Sequence, residues 1–332
     1  MEHDGRCKNC GMPLFTADEN AVPVNPAKLY NVCEKISPGC AHCYACDIGG
    51  RWGGPDYTAK ALKCFTPVLD EKGLAKLLRF KPKGRPGMKP MVFAHDMTDA
   101  FLDFWPDEFL DQFFAVVALR QDVIFQVLTK RPERMKGYFG RLHPATSASW
   151  GENYSRRERI LAMPDGSRCA WPLPNLWLGV SVENQKFADE RIPLLLQTPA
   201  AVRFVSYEPA LGAAYFRPAW IRPQRGCEGL HHHHDEFCGP RIDWLILGGE
   251  SGPGARPCDV AWIRSAVEQC KAAGVAVFVK QLGSKITYDR EFPGWQGVAG
   301  RLRDRKGGDP AEWPEDLSVR EFPMQERAVP RG

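Results

Sequence analysis

Three cysteines, Cys33, Cys40 and Cys43, lie within eleven residues at the spacing C-x6-C-x2-C. Pro38 and Gly39 stand between the first two, and such residues let a backbone fold back on itself. Three thiolates on one short loop can hold three irons of a [4Fe–4S] cubane and leave the fourth iron open to a small molecule. The same thiols are three quarters of a tetrahedral zinc site, completed by His42 or by a residue distant in sequence. Cys46 forms a second trio with Cys40 and Cys43. Unligated thiols are the remaining reading, and spacing alone leaves all of these open.

The chain that must position these cysteines has 332 residues, 44% hydrophobic and 25% charged, with a net charge of +4. That composition suits one large α/β domain or two smaller ones. The net charge is too small to announce a nucleic-acid binder. Basic residues do gather in two runs: Lys76, Arg79, Lys81, Lys83, Arg85 and Lys89, then Lys130, Arg131, Arg134 and Lys136. Such runs are ordinarily solvated faces. Twelve cysteines in a long chain whose start lacks an apolar signal core lead us to expect a reducing cytoplasm and metal-bound thiols rather than disulfides. No apolar run is long enough to span a bilayer, so no membrane association is expected.

Hydrophobic periodicity predicts alternating strands and helices. Residues 29–32 read as a strand entering the cysteine loop, and 70–80 as a helix with Leu74, Leu77 and Leu78 on one face. Strands follow at 91–94, 123–128, 176–180, 202–205, 244–247 and 275–279. A helix starts at Pro106, Asp107 and Glu108, with a stripe of Phe109, Leu110, Phe113, Phe114 and Val117. Asp259 reads as the N-cap of a helix that buries Val260, Ile263, Val267 and Cys270 and stops at Gly274. A short helix with an irregular insertion over about 132–174, and a second insertion over about 213–241, interrupt the rhythm. The tail from 284 onward, with Trp295 and Trp313, has no assignment from its pattern.

Strand–helix alternation means parallel strands with helices outside them. Asp96, Lys130, Ser181, Glu208, Glu250 and Lys280 all fall just past strand C-termini. In a barrel those ends converge on one face, where sites are built. The cysteine loop would lie over the same face.

Four stretches resemble the three-Cys-motif family of phage and bacterial proteins of unknown function. They are Ile36-Ser-Pro-Gly-Cys40-Ala-His-Cys43-Tyr44-Ala45, Gln126-Val-Leu-Thr-Lys-Arg-Pro-Glu-Arg134, Trp177-Leu-Gly-Val-Ser-Val-Glu183 and Gly248-Gly-Glu-Ser-Gly-Pro-Gly-Ala-Arg256-Pro257. The resemblance spans about 28–283. It extends to the radical S-adenosylmethionine (SAM) enzymes and, distantly, to spore photoproduct lyase. It implies a partial (β/α) TIM-like barrel of the radical SAM type with inserted loops. It also implies a [4Fe–4S] cluster on Cys33, Cys40 and Cys43 with SAM chelating the open iron. By the same likeness Tyr44 is the aromatic after the last cysteine, Lys130 meets the SAM carboxylate, Ser181 contacts the ribose and Asp99 matches an acid of the lyase pattern. Glu183, Glu208 and Glu250 have no such match and are assigned loosely to SAM or substrate. Two features depart from the pattern. The commoner spacing is C-x3-C-x2-C, and the Gly-Gly-Glu here, Gly248-Gly249-Glu250, follows a much later strand, so its usual role is not carried over. The lyase's hydrogen-donor cysteine falls near Asp96.

Residues 1–27 and the insertion over 213–241 look like additions to that core. They contain Cys7, Cys10, Cys227 and Cys238, two pairs that would make a tetrahedral zinc site, with His231 to His234 as substitute ligands. Cys64, Cys169, Cys258 and Cys270 read as small core hydrophobes. The expected activity is reductive cleavage of SAM and hydrogen abstraction from a substrate, with nucleic acid or a nucleotide first, and a peptide or small metabolite as the alternative. A third reading is a non-catalytic zinc protein that binds nucleic acid. The partners implied are an electron donor and the three-Cys-motif partner protein.

Overall fold

The computed structural model describes residues 33–43, 45, 69, 71–81, 89–95, 98–142, 152–222, 240–288 and 302–323. Its centre is a curled sheet of six parallel strands, a half-barrel. The strands are β1 (Met91–Ala94), β2 (Ile124–Thr129), β3 (Leu176–Ser181), β4 (Val202–Tyr207), β5 (Trp244–Gly248) and β7 (Ala276–Gln281), paired in that order. β6 (Cys258–Asp259) and β8 (Ile286–Thr287) form a separate short parallel pair. The helices are α1 (Glu71–Arg79), α2 (Asp107–Leu119), α3 (Pro132–Leu142), α4 (Glu152–Leu161), α5 (Gln185–Leu196), α6 (Pro218–Ile221) and α7 (Val260–Ala272). Among the described residues no helix is long and apolar enough to cross a membrane.

The strands are apolar on both faces, as a sheet covered by helices requires. Phe125, Val127, Leu178, Val180, Val205, Leu245, Leu247, Val277 and Val279 point to the helices and join Phe113, Phe114, Ile192, Ile263 and Val267 in one core. The alternate residues face the concave side. There Ile124, Trp177, Phe204 and Trp244 make a second apolar cluster with Leu128, Ile246 and Phe278. Gly179 lets this floor close, because a Cβ there would stand 2.4 Å from the Phe204 ring. Asp259 caps α7 as expected, accepting from Ala261 N at 2.8 Å. Cys258 and Cys270 are buried in the core.

The region over 132–174 is more regular than its sequence implies, since it contains both α3 and α4. Polar pairing on α2 explains the docking. Asp107 accepts from Arg134 (2.6 Å), Arg141 (2.6 Å) and Arg156 (3.1 Å). Asp111 takes Arg156 Nε and Nη2, both at 2.7 Å, and the Tyr138 hydroxyl at 2.8 Å. Weak hydrophobic periodicity hid α4, which is attached by Arg156 and by Ile160 and Leu161 at its end.

Residues of the tail also belong to the core. Val279 N donates to Val319 O at 2.8 Å and Glu321 N to Val277 O at 2.7 Å, so this strip covers the outer edge of β7. Covering such an edge blocks unwanted strand pairing. Phe322 packs against Trp244 and Phe278, closing the floor of the concave face.

Candidate functional site

The C-terminal ends of β1 to β5 and β7 form one edge, and the cysteine loop is pinned across it. The loop turns through Pro38–Cys40. Its first tie is Ser37, whose hydroxyl donates to Glu183 Oε1 at 2.6 Å. Glu183 follows β3, is fully buried, and also accepts from Lys130 Nζ at 2.5 Å and Arg191 Nη1 at 3.1 Å. Burial opposes ionisation of this carboxyl, but Lys130 and Arg191, with the bonds from Lys130 and Ser37, outweigh it and hold the group below its ordinary pKa. Gly39 sits directly on this carboxylate: a Cβ there would be 2.5 Å from Glu183 Oε1.

The second tie runs from β1 and β2. Asp99 accepts from Thr129 Oγ1 (2.7 Å), Phe101 N (2.9 Å), Lys130 N (3.0 Å) and Arg131 Nη1 (3.3 Å). Arg131, itself buried, passes its other nitrogen to Glu34 O and Glu34 Oε2, both at 3.2 Å. The third tie comes from β5. Glu250 accepts from Arg256 N, Nε and Nη2 at 2.8, 2.9 and 2.5 Å. Arg256 reaches on to Pro38 O at 2.9 Å. His42 Nδ1 donates to Glu250 Oε2 at 3.1 Å. Burial pushes the Glu250 carboxyl up, yet the Arg256 and His42 bonds overcome it and bring its pKa down to about 2.

The three thiols are free. Cys40 is buried, with its sulfur 3.6 Å from Ser37 Oγ. Ser37 gives its one proton to Glu183, so the Cys40 thiol is the donor in that pair. Burial, with Asp99 and the other two thiols adding to it, pushes the Cys33 thiol up to about 12. A metal must displace that proton to bind. Among the described residues no three His, Cys, Asp or Glu side chains converge as ligands of a single ion. A cubane asks for a wider triangle, because each cysteine binds a different iron. Three free thiols on one anchored loop fit that donor set.

The sequence-predicted residues therefore divide. Asp99, Lys130, Glu183 and Glu250 gather with the cysteines and spend their hydrogen bonds on holding the loop. Ser181, buried at the end of β3, gives its carbonyl to Arg191 at 2.9 Å. Glu208 stands apart with Ser206 and Lys280. Tyr44, Cys46, Asp96, Cys7, Cys10, Cys227, Cys238 and His231 to His234 lie outside the described residues, as do Cys64 and the strand expected over 29–32. Sequence reasoning missed Ser37, Arg191 and Arg256 as anchors. Arg256 lies inside the Gly248–Pro257 stretch and was findable, whereas Arg191 is one charge among several on a helix.

His95, just past β1, is the one non-glycine residue with positive φ among those described, at 60°. Its Nδ1 is buried without a partner among the described residues, and its ring meets Phe113 edge-on at 4.6 Å. Burial lowers its pKa to about 4, with Asp99 pulling weakly the other way.

The chain belongs to the family described as Protein of unknown function (DUF5131), whose model matches residues 24–310. No curated protein and no solved structure matches it.

Proposed function

We propose that the protein is a radical SAM enzyme acting on a substrate yet to be identified, with Cys33, Cys40 and Cys43 holding a [4Fe–4S] cluster. The observation that carries this reading is the three-cysteine loop tied by Ser37, Glu34, Pro38 and His42 to the C-terminal edge of a parallel half-barrel. Cys33, Cys40 and Cys43 would hold the cluster, which would supply the electron for splitting a sulfonium C–S bond of SAM into methionine and the species used for hydrogen abstraction.

The chain's own residues have three tasks. Glu183, Arg131 and Arg256 fix the loop, so the thiols are held close before any metal arrives. Lys130 offers its charge beside the loop. An ammonium has three donors, so it can keep Glu183 and still meet an incoming carboxylate. The concave floor of Trp177, Phe204 and Trp244 keeps water from the base of the site. The electron comes from an external donor.

Anaerobic reconstitution tests the reading. A brown protein with about four irons, bleached by dithionite, is expected. With SAM it should release 5′-deoxyadenosine, and Cys40→Ala should abolish both colour and product. A fully loaded cluster that yields no 5′-deoxyadenosine overturns the activity. A colourless protein that retains zinc at these cysteines overturns the cofactor.

A further inference from the structure

The cysteine loop occupies the acids and cations on one part of the edge and leaves another part free. Ser206, Ile246 and Phe278 stand side by side across β4, β5 and β7. Side chains alternate between faces along a strand, so Glu208 and Gly248 are the next concave-facing positions past Ser206 and Ile246; a register shift between Leu247 and Gly248 pairs Gly248 with Gln281 and leaves Lys280 as the extra residue beside them. Gly248 supplies no side chain, and its Cβ would be 2.5 Å from Glu208 Oε1. The carboxylate therefore lies across the glycine toward Lys280, whose Nζ is 3.4 Å from Oε1. Glu208 Oε2 accepts from Ser206 Oγ at 3.2 Å.

This pair differs from the loop anchors. Glu183 and Glu250 are buried and each meets several donors, while Lys280 is 57% exposed and touches Glu208 at a single long distance. Such an exposed contact contributes little to stability, so a ligand can exchange into it cheaply. Neither side chain bonds to the cysteine loop among the described residues. Beneath them Ile246 and Phe278, both partly exposed, present an apolar surface, with Arg320 over the Phe278 ring at 5.6 Å.

We infer that Glu208 and Lys280 form a recognition pair for an uncharged planar heterocycle whose edge carries a hydrogen-bond donor beside an acceptor, as in a pyrimidine base, laid on Ile246 and Phe278. The carboxylate accepts from the ring N–H and the ammonium donates to the ring carbonyl. A neutral ligand leaves the pair balanced, whereas a charged one would strand one partner. The ring packs on the apolar surface of Ile246 and Phe278, which removes its faces from water. The inference rests on reading the strand ends as a site, and it is independent of the cluster.

The test uses the full-length protein without metal, so that failure of the cluster reading leaves the measurement untouched. Uracil is titrated and followed by saturation-transfer NMR, with N-acetylglycinamide as an amide that lacks a ring. Uracil should bind the wild type, and at least tenfold more weakly to Glu208→Gln and to Lys280→Met, both of which should melt where the wild type does. No uracil binding, or equal binding by the variants, overturns the pair. N-acetylglycinamide binding as tightly as uracil overturns the heterocycle and assigns the pair to peptide amides.

Discussion

Gly39→Ala isolates the docking of the cysteine loop from the stability of the fold. The added Cβ would meet Glu183 at 2.5 Å from Oε1, 2.9 Å from Cγ and 3.1 Å from Cδ. A carboxylate end can usually swing aside, but this one is fully buried and held by Lys130, Arg191 and Ser37. Either the Ser37 bond breaks or the loop lifts. Losing one hydrogen bond to a charged group costs about 1.5–3 kcal/mol. Because 1.4 kcal/mol is a factor of ten, the lifted population should grow by roughly 10- to 150-fold. Cys40 is buried in the docked loop, so its thiol should react with a disulfide reagent faster by a similar factor. The helix-facing core lies below the loop and is untouched, so the melting temperature should barely move. Thiol kinetics on the metal-free protein, with Cys33 and Cys43 replaced by serine, read this directly. A Cys40 thiol that reacts at the wild-type rate in Gly39→Ala would show that Glu183 does not seat the loop.

Two further outcomes follow from the packing and the titration. Gly179→Ala forces a Cβ to within 2.4 Å of the Phe204 ring; overpacking of this kind costs about 1–3 kcal/mol, so thermal melting should fall by several degrees, and an unchanged melting curve contradicts the packed floor. His95 is held neutral, with its pKa lowered from 6.5 to about 4. The unfolded chain binds that proton first, so stability should fall as pH drops below 6.5 and the loss should be complete below about 4. At about 1.4 kcal/mol per pH unit the total approaches ~3 kcal/mol. His95→Asn tolerates a positive φ and should flatten that slope in denaturant titrations. An identical slope in the variant would assign it to other groups. The depressed Glu250 carboxyl acts in a lower window, since its contribution fades only as pH falls from 4.5 toward about 2.

The half-barrel was legible because buried parallel strands leave strong marks: short apolar runs, each followed by a polar residue. Val123–Leu128 and Val202–Val205 stand out that way, with ends misjudged by one or two residues because Thr129 and Tyr207 continue the ladder with a hydroxyl-bearing side chain. α4 was not legible, because its apolar contribution is confined to Ile160 and Leu161 at its end and the rest of its docking runs through Arg156 to Asp111. The strip around Val319 to Phe322 was hidden for a different reason: an edge pairing depends on a strand far away in sequence, and nothing local announces it. That Asp99, Lys130, Glu183 and Glu250 lie past strand ends was readable from residue type and position. Their division of labour was not, because it depends on partners such as Ser37 and Arg191 that become neighbours of Glu183 only in the fold.

That division bears on how the site can work. Lys130 and Arg191 meet at Glu183, Arg131 lies between Asp99 and Glu34, and Arg256 closes on Glu250. Among the described residues each cation of the docking network is matched to an acid. Of the second basic run, Lys130 and Arg131 belong to this network, Arg134 holds Asp107 and Lys136 meets Gln197. Local sequence reads four clustered cations as a solvated face, with nucleic-acid contact as the alternative. Their partners show them as struts that hold a loop and a helix. Groups whose bonds are weak enough to exchange suit recognition of substrate at the strand ends, and among the described residues Glu208 with Lys280 is such a pair.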